Sequence, residues 1–254
     1  MASSSPRILL SNDDGFDATG LKLLERIARG ISDDIWVVAP ETEQSGAGHS
    51  LTLRRPLRIR QRSDRRYSVD GTPTDCVLLA VKHILGDHPP DLVLSGINRG
   101  GNLGEDVTYS GTIAAAMEAT LLGIPAIALS QHREGRQTPW KTAESHAPAL
   151  IGKLIDAGWP SNVFINVNFP AVAADKVTGI EVAFQGRRKL GDDLVERIDP
   201  HGRPYYWMGP MRREEASRKG SDLAAVQAGA IAVTPLHLDL THRGTLRDLK
   251  RALA

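Results

Sequence analysis

"RILLSNDDGFDATGLKLLERIARGISDDIWVVAP", residues 7–40, decides the fold. It starts with a short extended-favouring run at 7–11, crosses a cluster of Asn, Asp and Gly, and then places Leu21, Leu24, Ala28 and Ile31 at three- and four-residue spacing. That spacing draws one apolar stripe along a helix, whereas the β-branched run that follows at 35–40 reads as a second buried strand. Two strands joined through a helix lie parallel, because only a right-handed crossover packs such a unit back onto its own sheet.

The unit repeats along the chain. "DLVLSG" (91–96), "PAIALS" (125–130) and "VFINVN" (163–168) are further short strand signals bounded by Gly, Pro, Asn or Asp. Helical spacing recurs at Val77, Val81, Ile84 and Leu85, at Ile113, Ala116, Met117, Thr120 and Leu121, and at Ala143, Ala147, Leu150, Ile151 and Leu154. Strand and helix in alternation predict an α/β fold: an open, doubly wound, mostly parallel, Rossmann-like sheet covered by helices on both faces.

Beyond residue 180 the alternation fails. Gly, Pro and charge cluster around "LVERI" and "YYWM", which suits a long β-hairpin, and the chain returns with the strand-like "AIAVTPL" and an amphipathic turn at Leu246, Leu249 and Leu253. The expected division is an α/β core at 1–180 carrying the active site, with a hairpin arm and C-terminal oligomerisation segment at 181–254 packed on that core. A hairpin cannot bury Tyr205, Tyr206, Trp207 and Met208 by itself, so a second subunit is the expected cover.

Composition narrows the function. The 254 residues carry 31 Lys and Arg against 30 Asp and Glu, a formal charge of +1, which provides no global field for coating nucleic acid or an anionic membrane. No stretch approaches the roughly 18 apolar residues of a membrane span. Cys76 is the only cysteine, which rules out an intrachain disulfide and a cysteine-based zinc site. The beginning "MASSSPRILLSN" lacks a long apolar run behind a basic end, and a reducing, cytoplasmic compartment is expected.

In open α/β folds ligands gather outside the carboxyl ends of the strands. Three loops fall there: "NDDG" (12–15), "ETEQSGAGHS" (41–50) and "SGINRGGNLGEDVTYSGT" (95–112). Together they supply adjacent carboxylates, amides, hydroxyls and many glycines. Two adjacent aspartates repel unless a cation lies between them, and hard oxygen donors without clustered His or Cys suit Mg²⁺, Mn²⁺ or Ca²⁺. The third loop runs into a helix near Gly111, so Ser110 can cap it while free N–H groups and the helix dipole face the rim. A metal held by Asp with an anion cradle opposite is suited to polarising a phosphoryl group, which points to phosphate-ester cleavage.

"RILLSNDDG", "VVAPETEQSGAGHSLT", "VDGTPTDCV", "DLVLSGINRGGNLGEDVTYSGTIAAAMEA" and "GIPAIALS" closely resemble the SurE family, stationary-phase survival proteins that act as metal-dependent 5'-nucleotidases. The resemblance runs from about Arg7 to Ser130 and continues more loosely at "INVNFP" (165–170). It implies one divalent metal ion per subunit, Mg²⁺ or Mn²⁺, held by Asp13, Asp14, Ser45 and Asn98. Asp13 and Asp14 are then also the catalytic carboxylates, and the expected phosphate contacts are Asn12, Gly46, Ser110, Gly111 and Thr112. Nucleoside 5'-monophosphates are the implied substrates, with activity extending to 3'-nucleotides, other phosphate esters and short polyphosphate. The implied assembly is a homodimer or homotetramer formed through the hairpin and the C-terminus. Ile113 stands where the family usually has Val, and "MASSS" extends the start; neither touches an expected ligand.

Two readings of the rim compete: hydrolysis, and a non-catalytic module that binds a metal-nucleotide complex for regulation. Within hydrolysis, water activated by Asp13 or Asp14 and an aspartyl-phosphate intermediate are both open. An aspartate-nucleophile phosphatase would carry D-x-D after the first strand, whereas this chain has adjacent aspartates. "GAG" (46–48) is not a dinucleotide loop, since the third glycine of G-x-G-x-x-G would fall on Leu51, and no G-x-x-x-x-G-K-[ST] run exists. The seven arginines between Arg54 and Arg66 are read as a solvated sheet edge. His237, Asp239 and His242 are read as a polar loop after the last strand, and Cys76 as a small core residue.

Overall fold

The computed structural model describes residues 5–188, 194–208 and 218–254. Four parallel strands form the centre: β1 (Ile8–Ser11), β2 (Ile35–Pro40), and, in sheet order beyond β1, β5 (Leu92–Arg99) and β6 (Ala126–Gln131). With β3 (Ile59–Ser63), β4 (Arg66–Val69), β7 (Val163–Phe169), β8 (Ile180–Val182) and β11 (Ile231–His237) they make one nine-stranded sheet, ordered β3-β4-β2-β1-β5-β6-β7-β11-β8. From β1 the chain builds outward through β2 and β4, then crosses back to build β5, β6 and β7 on the other side. The order reverses between β1 and β5, and that crevice is the expected ligand position of a doubly wound sheet.

Alternation within the strands divides the core. Ile8 and Leu10 face one side and pack with Leu21, Leu24 and Ile27 of α1 (Thr19–Ala28) and with Ala143, Ala147 and Ile151 of α4 (Trp140–Ala157). Leu9, Val38 and Val93 face the other side, against Cys76 and Val77 of α2 (Pro73–Leu79) and Ile113, Ala116 and Ala119 of α3 (Gly111–Leu121). Burying each large aliphatic side chain contributes about 1.5–3 kcal/mol, so the two layers fix the helices, and therefore the loops between, far more firmly than helix propensity does. Cys76 is fully buried, and burial pushes its thiol pKa up.

Beyond residue 180 the chain does more than build an arm. β11 pairs antiparallel to β7 and parallel to β8, which places both inside the main sheet, and α5 (Asp222–Gln227) packs on β11. The strand-like "AIAVTPL" is thus β11, and its place in the sheet carried no sequence signal because a long irregular stretch separates it from β7. The hairpin itself is present as β9 (Leu194–Ile198) against β10 (Pro204–Met208), an antiparallel pair joined by 199–203. Its expected flanks at 189–193 and 209–210 lie outside the described residues. Trp207 is 62% exposed and Met208 78%, and α6 (Arg243–Ala252) has no buried residue, with Leu249 and Leu253 also exposed.

The arginine-rich strand β3 is an edge strand, exposed along four of its five positions. Arg62 and Arg66 each stack a guanidinium 5.2 Å from the Phe16 ring, a cation–π arrangement. Further on, Asp239 pairs with Arg243, and His242 caps α6 through Thr245. These side chains serve the local turn. Among the described residues no helix is long and apolar enough to cross a membrane.

Candidate active site

The site is assembled at the switch point between β1 and β5. Ser11 and Ser95 are paired across the two strands, so the chain leaving β1 at Asn12 runs beside the end of β5. β5 is longer than the sequence suggested: Asn98 lies within it and pairs with Ser130 of β6 after a register shift beyond Ser95. Gly96 makes that irregularity possible, since it has φ +131° and a Cβ there would lie 2.3 Å from the Leu129 carbonyl oxygen.

Asp13 and Asp14 are held by different partners. Asp13 is buried, and Thr112 Oγ1 donates a 2.5 Å hydrogen bond to its Oδ1. Burial, helped by the neighbouring Asp14 charge, raises its pKa to about 6 against the opposing Thr112 hydrogen bond. Asp14 is half-buried, and its Oδ2 accepts the Arg99 main-chain N–H at 3.0 Å. Burial is again the main cause that lifts its pKa, with Glu43 adding to it and Arg99 and Arg133 opposing.

The remaining loops are tied to these two residues. Gln44 N–H donates to the Asp13 carbonyl at 2.8 Å, which brings the Ser45–Gly46 turn to the rim, and Gly48 N–H donates to Tyr109 O at 3.0 Å. Ser45 Oγ donates to Glu43 Oε1 at 2.8 Å. Asn98 commits its amide nitrogen to Gly100 O at 3.0 Å. Asn12 donates to Gly15 O at 2.9 Å, while its buried Oδ1 has no hydrogen-bond partner among the described residues. Ser110 caps α3 by accepting Ile113 N–H at 3.1 Å, and Thr112 spends its hydroxyl proton on Asp13. Thr112 also lends its main-chain N–H to Asp13, so Gly111 N–H is the first-turn donor without a partner among the described residues, whereas Gly46 lies open with φ +78°.

Several supporting residues carried no local sequence signal. Asn102 N–H donates to Asn168 Oδ1 and Asn102 Nδ2 to Ser130 Oγ, both at 2.8 Å, and Asn166 Nδ2 donates to Asn102 O at 2.8 Å. This buried amide network pins the glycine loop to β6 and β7. From the C-terminal part, Asp222 accepts Gly104 N–H at 2.9 Å and Gly186 N–H at 2.8 Å. Arg188 pairs with Asp106 in a nearly closed environment. Long-range partners 66 and 118 residues apart in sequence cannot be read from spacing.

A match to the family described as "Survival protein SurE" covers residues 8–192. This chain belongs to the SurE family. It is 63% identical over 250 residues to a protein of Paramagnetospirillum magneticum named 5'-nucleotidase SurE, covering 98% of this chain and 96% of that one. A Rhodospirillum rubrum protein of the same name is 59% identical over 253 residues, covering 98% and 97% of the two chains. The crystal structure of the SurE protein from Aquifex aeolicus superposes with a TM-score of 0.86 at 41% identity, covering 98% of this chain and all of that one. The SurE fold, a mostly parallel sheet between helices with a small antiparallel hairpin, is therefore the fold of this chain.

Proposed function

We propose that the rim between β1 and β5 is the active centre of a divalent-metal-dependent 5'-nucleotidase, which hydrolyses nucleoside 5'-monophosphates to nucleoside and phosphate. The family and the names of its close, full-length relatives carry the enzyme class: the chain is a phosphoric monoester hydrolase. The observation that carries the assignment to this rim is the pair Asp13 and Asp14, two adjacent carboxylates whose burial raises both pKa values where no nearby cation fully offsets it.

The residues fit a hard cation. Among the described residues no group of three His, Cys, Asp or Glu side chains is placed to hold a metal, so a cation held by Asp13 and Asp14 would draw its other ligands from neutral oxygens. Asp13, Asp14, Ser45 and Asn98 are the proposed ligands, and the buried, unpartnered Asn12 Oδ1 beside them marks a polar position that the protein alone does not satisfy. To join this shell Ser45 Oγ would give up its hydrogen bond to Glu43 Oε1. One Mg²⁺ or Mn²⁺ would supply charge to polarise a phosphoryl oxygen.

The protein groups around it divide the remaining tasks. Gly111 N–H, Gly46 and the positive end of α3 hold phosphoryl oxygens, with Asn12, Ser110 and Thr112 lining the same edge. Thr112 orients Asp13 through its hydroxyl. Asp13 or Asp14 either takes the proton of the attacking water or attacks phosphorus itself; trapping of an aspartyl-phosphate distinguishes the two. Activity on 3'-nucleotides and short polyphosphate, and a cytoplasmic setting, belong to the same proposal. Phosphate released from AMP in the presence of Mn²⁺, and abolished by chelator, is the expected result; AMP returned intact after long incubation would leave a metal-nucleotide-binding module instead.

Ser110→Ala tests the phosphate edge. Loss of the cap costs about 1 kcal/mol of stability, and activity is expected to fall while Mn²⁺ affinity measured by calorimetry stays within experimental error. A collapse of that affinity would move Ser110 into the metal shell.

The exposed hairpin and α6 are the proposed assembly surfaces of a homodimer or homotetramer. Leaving the apolar part of Tyr205, Tyr206, Trp207 and Met208 in water costs about 25 cal/mol per Å². Replacing 194–208 by a Gly-Ser linker retains the Arg188–Asp106 pair and is expected to lower the mass seen by light scattering. An unchanged mass would show that the hairpin is not an assembly element.

A further inference from the structure

A mostly polar cleft of about 480 Å³ is lined by Asp14, Glu43 and Trp140. Its size falls within the range of small-molecule sites, and it shares Asp14 with the proposed metal shell. Trp140 opens α4 and is half-buried, packed against the core layer beneath α1 while still lining the cleft. Across the opening, Arg99 and Arg136 supply two guanidinium groups, and neither forms an ion pair among the described residues. Asp17 and Thr138 add an acceptor and a hydroxyl on the walls.

A phosphoryl group needs none of these beyond the rim. The part of the substrate that enters the cleft is therefore the leaving group. An aromatic ring, polar groups and positive charge lining one cleft match a nucleotide: a flat base, a ribose with hydroxyls, and a phosphate at Asp14. We propose that this cleft is the nucleoside subsite, with the base stacked on Trp140, and that Trp140 makes the enzyme prefer nucleotides over phosphate esters without a base. The inference rests on the phosphatase reading of the rim.

The test compares AMP with ribose 5-phosphate, which lacks the base. Stacking on an aromatic side chain contributes enough that its loss is read as a change on the order of tenfold. In Trp140→Leu the ratio of kcat/KM for AMP to that for ribose 5-phosphate is expected to fall by that factor, chiefly through KM for AMP, and Trp140→Phe should restore most of it. An unchanged ratio in a folded Trp140→Leu protein overturns the subsite. Should leucine prevent folding, Thr138→Trp fills the cleft from its half-buried loop position and must depress the same ratio; no change there likewise overturns it.

Adenosine binding separates this inference from the reading beneath it, because it requires no hydrolysis. Calorimetry on the full-length protein should show adenosine affinity in wild type that drops in Trp140→Leu and in Thr138→Trp. Equal affinity in all three proteins overturns the cleft even if phosphate is released. Absence of phosphate release from both esters by wild type removes the phosphatase reading, while a loss of adenosine affinity in the variants still supports the subsite.

Discussion

Asp13→Asn and Asp14→Asn each reduce Mn²⁺-dependent phosphate release from AMP by on the order of a hundredfold or more, with the fold retained. An amide preserves the shape of each side chain and removes the charge that a hard cation requires. Thermal melts supply the independent measurement. A metal that binds only the native state at a hundred times its Kd stabilises it by about 2.7 kcal/mol, so wild type gains a clear Mn²⁺-dependent rise in Tm and both variants lose most of it. Equal rises in wild type and variants would remove these residues from the shell.

The chelated protein adds a pH signature. Burial raises the Asp13 pKa to about 6 from its ordinary value of 3.8, so the folded state holds a proton more tightly than the unfolded chain does. Its contribution is present below the unfolded value and is lost as pH rises through about 6. Metal-free wild type should therefore melt lower at pH 7 than at pH 5, and Asp13→Asn should show a smaller difference. Identical pH slopes would mean that Asp13 is not the buried acid the structure describes.

The division between what was legible and what was not follows contact range. β1, α1 and β2 could be read from residues 7–40 because apolar periodicity reports which face of an element is buried, and alternation then dictates a parallel sheet. The candidate rim was legible for a related reason: ligands collect at strand ends, and the three loops carry carboxylates, amides and glycines there. The end of β5 was not, since the Gly96 irregularity lets pairing resume at Asn98 where a glycine normally signals a stop. β11 was legible as the strand-like "AIAVTPL", but its antiparallel place beside β7 was not, because an irregular stretch separates the two strands in sequence. Asn102, Asn166 and Asn168 look like ordinary loop and strand amides until the fold brings them together, and Arg188 looks like one more surface arginine until Asp106 closes over it.

Gly111→Ala is expected to damage both stability and catalysis, although it changes a single hydrogen to a methyl group. The first turn of α3 lies so close to the loop after β1 that a Cβ at residue 111 would sit 2.6 Å from Asp13 Cβ, 3.0 Å from Asp13 Oδ2 and 3.0 Å from Pro73 Cγ. None of these atoms can yield easily. Asp13 is held by Thr112 and buried, and Pro73 begins α2 behind the Thr72 capping box. Relief must come from moving α3 or the Asp13 carboxylate, and overpacking of this kind costs about 1–3 kcal/mol. A displacement of about 1 Å in a positioned catalytic group can cost on the order of a hundredfold in rate, so activity should fall further than stability alone explains. Urea melts and kcat measured on the same preparation give both quantities, with Mn²⁺ affinity reporting whether Asp13 has moved. A variant with wild-type melts and wild-type kcat would show that the helix does not clamp Asp13, and the proposed geometry of the rim would fall with it.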